Sequence, residues 1–130
     1  MIRIVLNIKN ETKFVFSSRE AEKTILNTLK SQNLQGIFEI ELKLVSKPSI
    51  QKLNKEFRHK DYPTDVLSFP IQNEIKDNHP EIPVLLGDIV VCPAIIKKNA
   101  KEFHNTIDKE FLKMIDHSTL HLVGIHHEGD

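Results

Sequence analysis

Residues 38–46 read FEIELKLVS. Phe38, Ile40, Leu42 and Leu44 alternate with Glu39, Glu41 and Lys43. Successive side chains of an extended chain point to opposite faces, so this stretch is a strand with one apolar and one polar face, and a sheet with one covered face follows. Upstream, Ile2, Ile4, Leu6 and Ile8 alternate with Arg3, Val5 and Asn7, the pattern of a second half-buried strand. Between the two, Ser17 and Glu20 have capping-box spacing, and Ala21, Ile25 and Leu29 recur at helical spacing, which predicts a helix from about Ser18 to Gln32. Downstream, Ser49 is placed to cap a short helix carrying Ile50, Leu53 and Phe57, after which HKDYP reads as loop and DVLSF as a third strand.

Residues 72–83, QNEIKDNHPEIP, are polar, acidic and punctuated by proline, the composition of a flexible loop in which little chemistry is expected. LGDIVVC follows as a fourth strand, and its unbroken Ile89, Val90 and Val91 suit a place inside the sheet. Pro93 fits the first turn of a helix over roughly 94–103. From Ile107 to Val123 the apolar residues Phe111, Leu112, Met114, Ile115, Leu120, Leu122 and Val123 wrap most of a helix, as burial against other elements requires. The order βαβαββαα predicts an α+β fold, a small mixed four-stranded sheet packed with helices.

A length of 130 residues suits a single domain with one site. Hydrophobic residues at 39%, charged residues at 28%, four glycines and six prolines exclude collagen-like, disordered and low-complexity classes. No apolar run approaches membrane-spanning length, and MIRIVLNIKNETK alternates too regularly for a signal peptide, so a cytoplasmic protein without membrane attachment is expected. The single Cys92 allows no internal disulfide and leaves any metal chemistry to histidine and carboxylate. Zero net charge argues against a general polycation for nucleic acid. The halves differ, however: residues 1–65 carry twelve Lys or Arg against eight Asp or Glu, and residues 66–130 carry six against ten, which allows a modest basic surface in the first half, with a solvated exterior of mixed charge as the commoner reading of such a difference.

The last fourteen residues, HSTLHLVGIHHEGD, hold four of the seven histidines. His117 and His121 stand one helical turn apart on one face, where two imidazoles can reach one ion. Gly124 stands where a left-handed helix cap is wanted, and such a cap would bring His127 toward the same ion, with His126 competing for that place. Three imidazoles with a fourth position open is the arrangement of catalytic zinc. The plain alternative is that these histidines are satisfied core or cap residues, or complement the helix dipole. His59, His79 and His104 fall in predicted loops or at a helix end and are read as exposed and structural. The spacing also matches metzincin proteases, HExxHxxGxxH. Their glutamate base follows the first histidine, whereas Ser118 stands here, so a peptidase or amidase would lack its base unless another carboxylate such as Glu128 served.

The second dense stretch is LNKEFRHKDYPTDVLSFP. Arg58, at the end of a predicted helix, is suited to fork-like binding of a phosphate or carboxylate. Asp65 can either orient a ligand histidine or cap a turn.

Together, NKEFRHKDYPTDVLSFP, LGDIVVC and HSTLHLVGIHH resemble the YbeY family of bacterial endoribonucleases over about residues 50–127, with the motifs in the family's order and spacing. The family's pattern HGxLHLxGxDH is met by His117, Leu120, His121, Leu122, Gly124 and His127, and its arginine before TDVLSFP by Arg58. Ser118 replaces the family's glycine and His126 its aspartate. The chain ends three residues after His127, so the family's C-terminal helix is expected to be absent or truncated. The resemblance implies a zinc-dependent, single-strand-specific endoribonuclease acting in rRNA maturation and ribosome quality control. One Zn2+ per chain would be held by His117, His121 and His127, with Arg58 as the catalytic phosphate-binding residue. The implied partners are rRNA of the small ribosomal subunit and ribosomal proteins. A non-enzymatic ribosome assembly factor with a structural metal is the alternative within the same resemblance.

Overall fold

The computed structural model describes residues 1–71 and 81–125. Its elements follow the expected order: β1 (Ile2–Asn10), α1 (Ser18–Ser31), β2 (Gly36–Leu44), α2 (Lys47–Arg58), β3 (Val66–Pro70), β4 (Val84–Val91), α3 (Pro93–Glu102) and α4 (Ile107–Leu122). The strands form one sheet in the order β1-β2-β4-β3. β1, β2 and β4 run parallel, and β3 is antiparallel to β4 along the edge.

Local chemistry explains most boundaries. Ser17 caps α1, its hydroxyl accepting from the Glu20 N–H at 3.1 Å, as the capping box requires. α2 begins earlier than expected: Ser46, not Ser49, is its cap, and Ser46 Oγ accepts from the Ser49 N–H at 3.4 Å. Pro48 decides this, because a proline belongs in the first turn, where its missing N–H has no intrahelical acceptor to lose. Likewise β3 starts at Val66, since the Asp65 carboxylate turns back onto the Val66 N–H at 2.8 Å.

The polar face of the sheet is covered at one end, contrary to the one-sided sheet expected from β2. Phe38, Ile40, Leu42, Leu44, Ile89 and Val91 join the main core beneath α1, α3 and α4. Val90 and Leu67, which pair across β4 and β3, pack on the opposite face against Val45, just before α2, and Ile50 in its first turns. This second layer is why Ile89, Val90 and Val91 are all apolar. Farther along the same face the sheet turns polar, with Asn7 donating to Glu39 and Glu41 at 2.8 and 2.9 Å.

A bulge between β2 and β4 lets the helical layer approach the sheet. Register slips at Glu39 and Ile40, so that Leu85 pairs with Glu39 while Gly87 pairs with Ile40. Gly87 has φ of +144°, and a Cβ there would lie 2.2 Å from the Phe69 carbonyl oxygen and 3.1 Å from Leu122 Cδ2. The Phe69 carbonyl is backbone and cannot retreat without breaking the β3–β4 ladder, whereas Leu122 need only shift the end of its side chain. Gly87→Ala is therefore expected to destabilise the fold by at least about 2 kcal/mol, combining backbone strain with the clash. The check is a urea titration in which the midpoint falls at unchanged slope. A parental midpoint would mean that β3 and β4 are not this close.

Candidate functional site

α4 brings the first two histidines together. Thr106 caps the helix, accepting from the Lys109 N–H at 3.1 Å, and Asp108 and Glu110 in the first turn suit the positive end of the helix dipole. One side of α4 buries Phe111, Ile115, Ser118, Thr119 and Leu122. The other presents Met114, His117 and His121 to a cleft of about 600 Å³. The two imidazole centroids are 4.7 Å apart with planes inclined by 45°. The helix then ends as its glycine suggested: Gly124 has φ of +88°, its N–H donates to the His121 carbonyl, and the Ile125 N–H donates to the Leu120 carbonyl, both at 3.0 Å. This is the paired closure of a Schellman turn.

β3 and the loop before it form the opposite wall, from Thr64 to Phe69. The end of α2 forms the rim, with Phe57 and Arg58. Arg58 is the last residue of α2 and is exposed. The chain leaves it through His59 in the left-handed conformation, φ 59°. The loop is then held against α2: Asn54 Nδ2 donates to the Tyr62 carbonyl at 2.9 Å and Gln51 Nε2 to Asp61 Oδ1 at 3.0 Å. Buried Asn54 thereby keeps the end of α2 and the start of β3 at one cleft.

Asp65 caps the turn into β3, one of its two expected roles. Oδ1 accepts from the Val66 N–H and from Thr64 Oγ1 at 3.3 Å, and Oδ2 accepts from Asn99 Nδ2 on α3 at 3.3 Å. Ser118 does something its sequence context did not suggest. It is fully buried, and its hydroxyl is hydrogen-bonded to that of Ser68 on β3, which also lines the cleft. The residue after His117 thus ties α4 to the edge strand instead of facing the substrate space. His59 and His104 are exposed and end helices in left-handed conformations, the structural role expected of them. His79, His126 and His127 lie outside the described residues.

Among the described residues, then, His117, His121 and Arg58 share one cleft, and no set of three His, Cys, Asp or Glu side chains gathers as a complete metal site. The histidine pair would suit a transition ion by donor type and by placement, two imidazoles one helical turn apart facing one cleft.

Comparison with known proteins shows the family of the chain. A family model described as Endoribonuclease YbeY matches residues 6–130. The Endoribonuclease YbeY of Aliarcobacter butzleri is 40% identical over 126 residues, covering 97% of this chain and 81% of that protein. The one from Thermotoga neapolitana is 44% identical over 85 residues, covering 65% of this chain and 50% of its own. The chain thus spans about half the length of the latter relative. The solution structure of TM1509 from Thermotoga maritima superposes with a TM-score of 0.57 at 35% identity, covering all of this chain (100%) and 77% of that one.

Proposed function

Because the chain belongs to the YbeY endoribonuclease family, we propose that it hydrolyses phosphodiester bonds of single-stranded RNA with the help of one zinc ion held by His117, His121 and His127. The observation that carries this reading is the pairing of the His117 and His121 imidazoles in the same cleft as the Arg58 guanidinium. A zinc ion in an imidazole site supplies Lewis acidity and brings the ionisation of water into the neutral range. Arg58 binds the phosphate and offsets the negative charge that develops as the phosphodiester is attacked. Ser118 and Ser68 tie α4 to β3, so the wall that carries the two histidines keeps its separation from the wall formed by the edge strand. Buried Ser118 offers no base for peptide hydrolysis, which favours a phosphodiester over an amide. The substrate we assign is rRNA of the small ribosomal subunit, matured in the cytoplasm among ribosomal proteins. No helix among the described residues is long and apolar enough to cross a membrane.

The test is cleavage of defined single-stranded RNA and of peptides by the purified chain, with chelator and with zinc returned. RNA alone should be cut, the activity should vanish with the metal, and zinc should restore it. His127→Ala should lose both metal and cleavage while His126→Ala keeps most of each. The reverse order would make His126 the third ligand. A zinc-loaded chain that binds RNA and never cuts it would be an assembly factor with a structural metal.

A further inference from the structure

We infer that Phe57 is a stacking platform for a nucleobase of single-stranded RNA, beside the phosphate that Arg58 binds; this rests on the RNA reading above and adds a base-binding subsite to it. The apolar stripe of α2 runs Ile50, Leu53 and Phe57, at helical spacings that put all three on one side. Ile50 is fully buried and Leu53 partly, yet Phe57 is 56% exposed. The stripe outruns the core, and its last ring borders the cleft. Phe57 is nonetheless oriented: it packs edge-to-face with Phe69 of β3, centroids 5.1 Å apart and planes at 72°.

An aromatic ring that is held in place and open to solvent is what an unpaired base needs, since every base offers a π-face whatever its identity. The charge around it selects the same occupant. Between residues 47 and 61 five Lys or Arg stand against Glu56 and Asp61, Lys55 being paired with Asp61 at 3.8 Å, and Arg58 follows Phe57 directly. Cations interleaved with an exposed aromatic suit a phosphate-linked strand of bases. A ring serving only as cover for Phe69 and the Leu67–Val90 layer would need bulk and apolarity but no π-face. Phe57→Leu keeps the cover and removes the π-face; Phe57→Trp keeps both.

The experiment uses the zinc-loaded chain and a short labelled single-stranded RNA, beside an RNA of the same length whose central nucleotides are abasic. Affinity is measured by anisotropy before turnover. The parent should bind the RNA with bases about tenfold more tightly than the abasic one, the size expected of one base on one aromatic. Phe57→Leu should lose that preference while keeping the abasic affinity. Phe57→Trp should keep it, with tryptophan emission quenched by the RNA that has bases and not by the abasic one. If Phe57→Leu retains the parental preference, or the tryptophan does not respond, Phe57 is cover for the core and the stacking subsite is wrong, whether or not the leucine variant is fully stable. A parent that binds and cuts RNA without preferring bases overturns this inference alone. A parent that binds no RNA overturns it together with the proposed function.

Discussion

Replacing His117 by alanine should strip the zinc ion and abolish RNA cleavage while leaving the fold in place. The parent is expected to hold about one zinc per chain, the stoichiometry of a single three-histidine site. His117 stands on the cleft side of α4, partly exposed, whereas the helix is held in the core by Phe111, Ile115, Ser118 and Leu122. Alanine at that position removes a ring without opening the core, and as the best helix former it does not weaken α4. Losing an imidazole should lower zinc affinity by more than the roughly 10- to 100-fold that follows loss of a ligand's hydrogen-bond partner alone. Cleavage should then fall to background at zinc concentrations that saturate the parent. His121→Ala should do the same, and the double variant should be little worse than either, because the site acts as a unit. Metal analysis, RNA cleavage and urea unfolding of the same preparations provide the check. A His117→Ala chain as metal-loaded as the parent would remove the zinc site from this protein, and one that is unfolded would mean that the imidazole holds α4 itself.

How far the sequence leads depends on how local each cause is. Alternation in FEIELKLVS and in the first strand is a property of the strand itself, and both strands appear where that pattern stands. The i, i+4 spacing of His117 and His121 is equally local, as is the demand of the final turn of α4 for a left-handed Gly124. The start of α2 is a case of two serines competing to cap one helix, and Pro48 tips the balance to Ser46. Reading the proline as a first-turn residue would have found it. Gly87 announces a bulge or a close approach by being a glycine in a strand, but only the fold shows that the Phe69 carbonyl and Leu122 are what approach. Ser118 has no local signal at all, since its partner Ser68 is 50 residues away. Arg58 is intermediate: no spacing connects it to the histidines, the family resemblance does, and the loop held by Asn54 and Gln51 is the physical means by which it reaches their cleft. Phe57 belongs to an apolar stripe that any periodicity argument assigns to the core, and only its exposure sets it apart. Long-range partners and exposure are properties of the assembled layers, which is why they escape a reading made one window at a time.

Arg58→Ala should sharply reduce RNA cleavage and weaken RNA binding while the zinc content stays parental. Arg58 sits at the C-terminal end of α2, whereas His117 and His121 stand on α4, so the two parts of the proposed site can be removed separately. Arg58 is exposed, and its loss opens no cavity in the layer formed by Ile50, Leu67 and Val90. What would be lost is a charge-assisted pair of hydrogen bonds from the guanidinium fork to a phosphate whose negative charge grows in the transition state. Removing one such donor typically costs about a hundredfold to a thousandfold in turnover, and the alanine variant is expected in that range. Arg58→Lys separates charge from geometry: it keeps the cation and loses the planar fork, so binding should largely recover while cleavage stays well below parental. Loss of one phosphate contact also makes the remaining binding less salt-dependent, by about 0.7 in the logarithmic slope for a single strand, whereas the lysine variant should keep the parental slope. Loss of the Phe57 stacking face, which carries no charge, should leave that slope unchanged, so the salt titration tells the two neighbours apart. If Arg58→Ala and Arg58→Lys both cleave at the parental rate with zinc intact, phosphate is bound elsewhere in the cleft, and Arg58 is an ordinary helix-end arginine complementing the dipole of α2.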